Sequence, residues 1–268
     1  MPSANFEIEA FFLDGEHGAL LCTYLHPRAT PVKGGILYLH PFAEEMHKSR
    51  RMAALQARQF AATGYAVLQV DLTGCGDSHG DFLDASWDKW LSDAACAHAW
   101  LSSKIATPIK LWGLRTGATL AVHLAKDLPE VASLLLWQPV VNGEQFLKQF
   151  LRIRTASDML NGDSSQNNAL RARLAAGESL EVGGYCLSAQ LANDLGRLKL
   201  AESLPRCPVV WLEVGADNSN LPAPAGQRVV EAWRTAGVEV QTRTVAGEPF
   251  WVTQEITECA ALLDACQP

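Results

Sequence analysis

Residues Gly113-Leu114-Arg115-Thr116-Gly117 have the spacing of G-x-S-x-G, the turn by which a strand passes into a helix and pushes its central residue into the open. With serine at the centre, such a turn supports acyl transfer: the hydroxyl attacks a carbonyl while N–H groups at the helix start hold the oxyanion. Here the central residue is Arg115. A guanidinium stays protonated and cannot act as a nucleophile. It can hold an anion, because the N–H groups around a helix N-terminus already favour negative charge. The backbone N–H of Thr116 would join that site, and a second N–H would come from Phe42, in the loop His40-Pro41-Phe42-Ala43.

The elements that position these residues follow from periodicity. Residues 6–13 and 19–25 alternate around Asp14-Gly15 as a hairpin. Apolar strand patterns recur at 35–39, 66–71, 108–112, 132–137, 209–214 and 238–245, separated by helical patterns at 49–63, 86–103, 115–127 and 223–236, with a last helix at 252–266. Strands alternating with helices predict a mostly parallel sheet covered on both faces. Residues 142–203 break the rhythm with amphipathic pieces at 144–153, 169–176 and 188–195 around the polar stretch 161–168, a pattern read as a helical cap inserted in a single domain spanning 1–268.

Two further motifs accompany the 113–117 turn. Asp71-Leu72-Thr73-Gly74-Cys75-Gly76-Asp77-Ser78 follows the strand at 66–71 as D-x-x-G-x-G-x-S, and Gly215-Ala216-Asp217 follows the late strand. In this order the four motifs resemble those of the α/β-hydrolase superfamily over the whole chain. More narrowly, HPFAEEMHKSRRM, WGLRTGA and QFLRIR resemble the exosortase-A-system-associated hydrolases. The resemblance implies an eight-stranded α/β-hydrolase fold, an oxyanion loop at His40–Ala43, an acidic triad member at Asp217 and a base histidine after the last strand. It also implies a role in bacterial protein sorting and exopolysaccharide pathways.

The chain departs from that pattern at two triad positions. Besides Arg115 in place of the nucleophile, the segment due to carry the base reads Ala246-Gly247-Glu248-Pro249-Phe250-Trp251, and no histidine follows His123. A serine mechanism needs a base to take the hydroxyl proton, so the standard triad is not available. Arg115 instead calls for a negative partner, and Asp217, Glu248, Glu44 and Glu45 are the candidates, with Arg115–Glu248 replacing the lost serine and histidine at their own positions. The functional expectation is a binder of an anionic or acyl ligand, or of a partner protein, using Arg115, Thr116, Phe42, His40, Glu44 and Glu45. The competing expectation is an ester or thioester hydrolase or acyltransferase with a relocated nucleophile.

Other classes are disfavoured by composition. A net charge of -7 opposes a nucleic-acid surface, which needs a basic stripe. The glycines of 74–80 miss the dinucleotide spacing by one residue, and His40 with Glu44 and Glu45 lacks a clear third metal ligand, so no cofactor or metal is expected. Seven scattered cysteines without C-x-x-C, no apolar run near the roughly 18 residues that span a membrane, and acidic residues at positions 7, 9 and 14 make a cytoplasmic protein the expectation.

Overall fold

The computed structural model describes residues 5–28, 31–160 and 167–266. Eight strands form one sheet: β1 (Phe6–Gly15), β2 (Gly18–Pro27), β3 (Gly34–Leu39), β4 (Tyr65–Val70), β5 (Ile109–Leu114), β6 (Ser133–Trp137), and then, past the inserted segment, β9 (Val209–Gly215) and β10 (Val240–Ala246). Their order is β1-β2-β4-β3-β5-β6-β9-β10. The β1–β2 and β2–β4 pairs are antiparallel and the other five are parallel. The mostly parallel sheet is the one the alternating pattern predicts, and the architecture is the α/β-hydrolase fold that the resemblance implied.

Strand alternation divides the core between the two faces of the sheet. Leu37, Leu39, Leu111, Leu134, Leu136 and Trp211 pack on one side, beneath α2 (Trp87–Lys104), α3 (Thr116–Asp127) and α7 (Pro224–Thr235). Ile36, Tyr38, Trp112, Trp137 and Leu212 pack on the other, beneath α1 (Glu44–Ala62) and α8 (Ala260–Ala265).

Between β6 and β9 the chain forms α4 (Gly143–Leu160), α5 (Asn167–Ala175), a small hairpin of β7 (Leu180–Val182) and β8 (Tyr185–Leu187), and α6 (Ala189–Arg197). The hairpin is not anticipated by the sequence reading. It turns on Gly183 and Gly184, both at positive φ, which suits a two-residue turn that side chains would strain. All but the last two positions of the polar stretch 161–168 lie outside the described residues.

Three helix boundaries differ from expectation, and the largest extension is that of α4, which runs to Leu160 past the expected 153. Helix α1 starts five residues before the expected 49, because Ala43 turns sharply (φ 48°) and Glu44 and Glu45 occupy the first turn, where acidic residues suit the helix dipole. The last helix begins at Ala260 instead of 252. Turns around Pro249 draw Phe250 and Trp251 inward first; both are buried, so the chain has no freedom to coil there.

Candidate functional site

The 113–117 segment is a tight strand-to-helix turn with Arg115 at its centre. Arg115 caps α3 at φ 56° and ψ -116°, a conformation that costs an L-residue about 1–3 kcal/mol. The flanking glycines are dictated by close approach. A Cβ on Gly117 would lie 2.1 Å from the Leu39 carbonyl oxygen, and one on Gly113 would lie 2.4 Å from the Gly117 carbonyl. Helix α3 therefore sits directly against the end of β3, and Arg115 leaves the sheet edge into a cavity of about 380 Å3.

Arg115 donates from Nε to both oxygens of Glu45, at 3.2 and 3.3 Å. Both side chains are largely buried, at 16% and 14% exposure. Burial raises the pKa of Glu45, and the charge and hydrogen bond of Arg115 oppose that rise. The guanidinium carbon lies 5.7 Å from the ring centroids of both Phe146 and Trp251. These faces stabilise a cation. The Arg115 backbone N–H donates to the Trp137 carbonyl at 2.9 Å, and no other side-chain donor of Arg115 has an acceptor among the described residues, which leaves its two Nη groups available.

Phe42 and Phe150 complete the apolar wall, while Lys48 and Glu44 (4.0 Å apart) stand at the rim. The Phe42 ring makes edge contacts with Phe82, Phe146 and Phe150, at centroid distances of 5.3, 5.5 and 4.8 Å, and so ties the loop 40–43 to α4. Among the described residues the backbone N–H groups of Phe42 and Thr116 have no acceptor.

Of the four acidic candidates, Glu45 is the partner of Arg115. Glu248 and Asp217 are exposed and neither lines the cavity, so the Arg115–Glu248 pair does not form. Position 248 stays outside because Trp251, three residues on, fills the space against Arg115. Glu44 accepts a hydrogen bond from the Tyr185 hydroxyl at 3.4 Å.

His40 does not face the site. Its Nδ1–H donates to the Pro41 carbonyl at 2.8 Å and its Nε2 accepts from the Leu72 N–H at 3.1 Å. Burial lowers its pKa, and it borders a second cavity with Tyr38, Arg50 and Asp71. The glycine-rich 71–78 turn is likewise committed to the scaffold: Asp71 accepts from Arg50 of α1 at 2.7 Å, and Ser78 Oγ donates to the Asp71 carbonyl at 2.6 Å and accepts from the Leu21 N–H at 2.8 Å.

A serine–histidine contact does occur elsewhere, between Ser203 Oγ and His123 Nε2 at 3.0 Å. The Trp87 indole N–H donates to His123 Nδ1 at 3.0 Å, so the neutral ring carries its proton on Nε2 and presents an N–H to the serine. It cannot take the serine proton in that state, and burial lowers its pKa to about 4. Among the described residues, the one group of carboxylate and imidazole ligands near enough for a metal is Glu7, Glu9 and His26, away from this site and beside Arg28.

The sequence reading missed Trp251, Phe146 and Phe150 as site residues. The four-residue spacing of the two phenylalanines on one helix face was a usable signal. Nothing in the local pattern around Trp251 distinguished it from core.

The model of a family described as serine aminopeptidase, S33, matches residues 30–174. Similar solved structures include Est1E from Butyrivibrio proteoclasticus with ferulic acid bound (15% identity, 96% of each chain, TM-score 0.69). They also include a serine hydrolase without a lid from Xanthomonas campestris (17% identity, 99% of this chain and 93% of that one, TM-score 0.60). An esterase from Pyrococcus furiosus is similar as well (16% identity, 90% and 82%, TM-score 0.60). No functionally curated protein matches the sequence. Among the described residues no helix is long and apolar enough to cross a membrane.

Proposed function

The chain belongs to the serine aminopeptidase S33 family of α/β-hydrolases, and from that premise we propose that it is a non-catalytic member, a cytoplasmic binder of an acyl or aryl ligand with an anionic head. The observation that carries this reading is the state of Arg115. Glu45 holds it at Nε, two aromatic faces flank it, and its Nη groups stay available to a carboxylate or phosphate in a bidentate fork. The Phe42 and Thr116 N–H groups would receive the same head group, while Phe42, Phe146, Phe150 and Trp251 cover the apolar body. The bound ferulic acid of Est1E, an aryl carboxylate, is of the ligand class assigned here. The resemblance of the HPFAEEMHKSRRM and WGLRTGA stretches to exosortase-associated hydrolases supports a role in a protein-sorting or exopolysaccharide pathway, where a protein partner would be served by the bound ligand.

A second reading, an esterase or acyltransferase with a relocated nucleophile, has the Pyrococcus furiosus esterase as its support. The proton position on His123 and the commitment of Ser78 Oγ to Asp71 oppose it. Fluorophosphonate labelling with intact-mass detection, beside a short-chain ester assay and calorimetric titration of ferulate, separates the two. The expected result is no adduct, no turnover, and saturable ferulate binding weakened at least roughly tenfold by Arg115→Gln. One adduct mapped to a single serine, with turnover, would establish the second reading instead.

A further inference from the structure

On the side of the β1–β2 hairpin that packs on α2, three side chains able to ligate a metal meet. Glu7 and Glu9 are two apart on β1, so strand alternation sends both to one face. Glu7 pairs directly with His26 of β2 and Glu9 with Tyr24, a register fixed by the short loop between Gly15 and Gly18. The imidazole therefore stands beside both carboxylates. Its Nε2 is 3.2 Å from Glu9 Oε1 and 3.7 Å from Glu7 Oε2, and one donor atom of each residue lies within 4.8 Å of the other two.

These spacings are those of a coordination shell. Zinc takes imidazole nitrogen at about 2.0–2.1 Å and carboxylate oxygen at about 2.0–2.2 Å, so at a tetrahedral angle two such ligands lie about 3.4 Å apart. The two distances from Nε2 bracket that value. The surroundings hold the donors in place. The Tyr24 ring stacks on the imidazole at 5.2 Å between centroids and is itself packed edge-on against Trp100 at 5.1 Å. Arg28 Nε donates to Glu7 Oε1 at 3.2 Å, which leaves Oε2 to the side of His26. Among the described residues neither lysine nor arginine pairs with Glu9. The His26 side chain is 26% exposed, enough to admit an ion and water.

We propose that Glu7, Glu9 and His26 bind a divalent first-row transition metal, with zinc as the reference ion and water in the fourth position. The imidazole decides the class: nitrogen beside carboxylates suits zinc and its neighbours, whereas magnesium and calcium take shells of oxygen. Two carboxylates match the charge of the ion, and Arg28, at 55% exposure, stays solvated. Because the ligands come from both strands of the hairpin, the ion cross-links the edge strand β1 to β2. It binds only the folded register, and so stabilises it.

Calorimetric titration of zinc into the metal-free full chain should show one ion bound per chain, at roughly micromolar affinity. His26→Ala and the isosteric Glu9→Gln should each weaken binding at least roughly tenfold. Glu258→Gln, at a carboxylate that pairs with Arg51, should leave it unchanged. Zinc should raise the thermal midpoint of the wild type and of Glu258→Gln, and should leave those of the two ligand variants where they are. Cobalt in place of zinc reads the ligand types: weak visible bands are expected, without the intense near-ultraviolet band that a cysteine thiolate would add. No saturable zinc binding, binding that survives both ligand variants, a thiolate band, or displacement of zinc by excess magnesium or calcium would each overturn the assignment.

Discussion

Of the arginine–carboxylate pairs to which helix α1 supplies a residue, Glu45–Arg115 and Arg50–Asp71 are built for different ends. In the second, Arg50 is 47% exposed and Asp71 is enclosed by its own turn. Asp71 also accepts from the Asp77 N–H at 3.4 Å, and a Cβ on Gly76 would lie 1.9 Å from its carboxylate, so the turn closes around it. In the first pair both partners are largely buried, yet the arginine is engaged only through Nε. Residual bonding capacity, more than the presence of an ion pair, separates the site from the scaffold. A pair that satisfies itself completes a turn, whereas a pair held by one edge keeps the other edge for a ligand.

The comparison breaks first at Arg115. Arg115→Met leaves Glu45 buried without its cation, and breaking a buried pair in this way costs about 3–5 kcal/mol. Chemical denaturation should register that loss at neutral pH. The double variant Arg115→Met with Glu45→Met should recover most of it, since an apolar replacement of both partners carries no stranded charge. If the single variant is as stable as the wild type, Glu45 is not held by Arg115 and the contrast between the two pairs fails.

The fold and the site differ in how much of each can be read from residue order. The parallel sheet is legible because the strands at 35–39, 66–71 and 132–137 are short, predominantly apolar runs, and burial on both faces makes such runs local in sequence. The elbow is legible because Gly113 and Gly117 are forced by contacts with backbone, and backbone contacts leave glycine as their trace. The partner of Arg115 is not legible to that degree. Asp217, Glu248, Glu44 and Glu45 all belong to loops or helix starts at the same sheet edge, and the choice rests on where Ala43 turns and where Trp251 inserts. Both are tertiary events. His40 shows the same limit: a histidine at the end of a strand near the mouth is drawn away by two backbone groups, those of Pro41 and Leu72, that no spacing rule connects to it.

A smaller effect sharpens the contrast through pH. Burial raises the pKa of Glu45 above its ordinary value of 4.5, so between the unfolded and folded values the folded state holds a proton that the unfolded chain has released. Stability from this group is complete below the unfolded value and is lost as pH rises through the folded one. Thermal melts of the wild type and Glu45→Gln across mildly acidic to neutral pH should therefore diverge, with the wild type losing ground to the variant as pH rises. A difference between the two that is flat with pH would mean that Glu45 ionises in the folded protein as easily as in the unfolded chain.

The smallest expected effect belongs to the other pair. Arg50→Ala removes a partner that is nearly half exposed, so solvent screens the interaction and water can replace the guanidinium at the Asp71 carboxylate. Asp71 keeps the Asp77 N–H bond and its carbonyl keeps the Ser78 hydroxyl, so the turn retains its closure. A loss of about 0–1 kcal/mol follows, several-fold below that of Arg115→Met, with ferulate binding unchanged. Measured side by side, the two variants test the distinction drawn from their geometry: an equal loss would make Arg50–Asp71 as much a buried pair as Arg115–Glu45, and the availability of the Arg115 Nη groups would then be the one remaining difference between them.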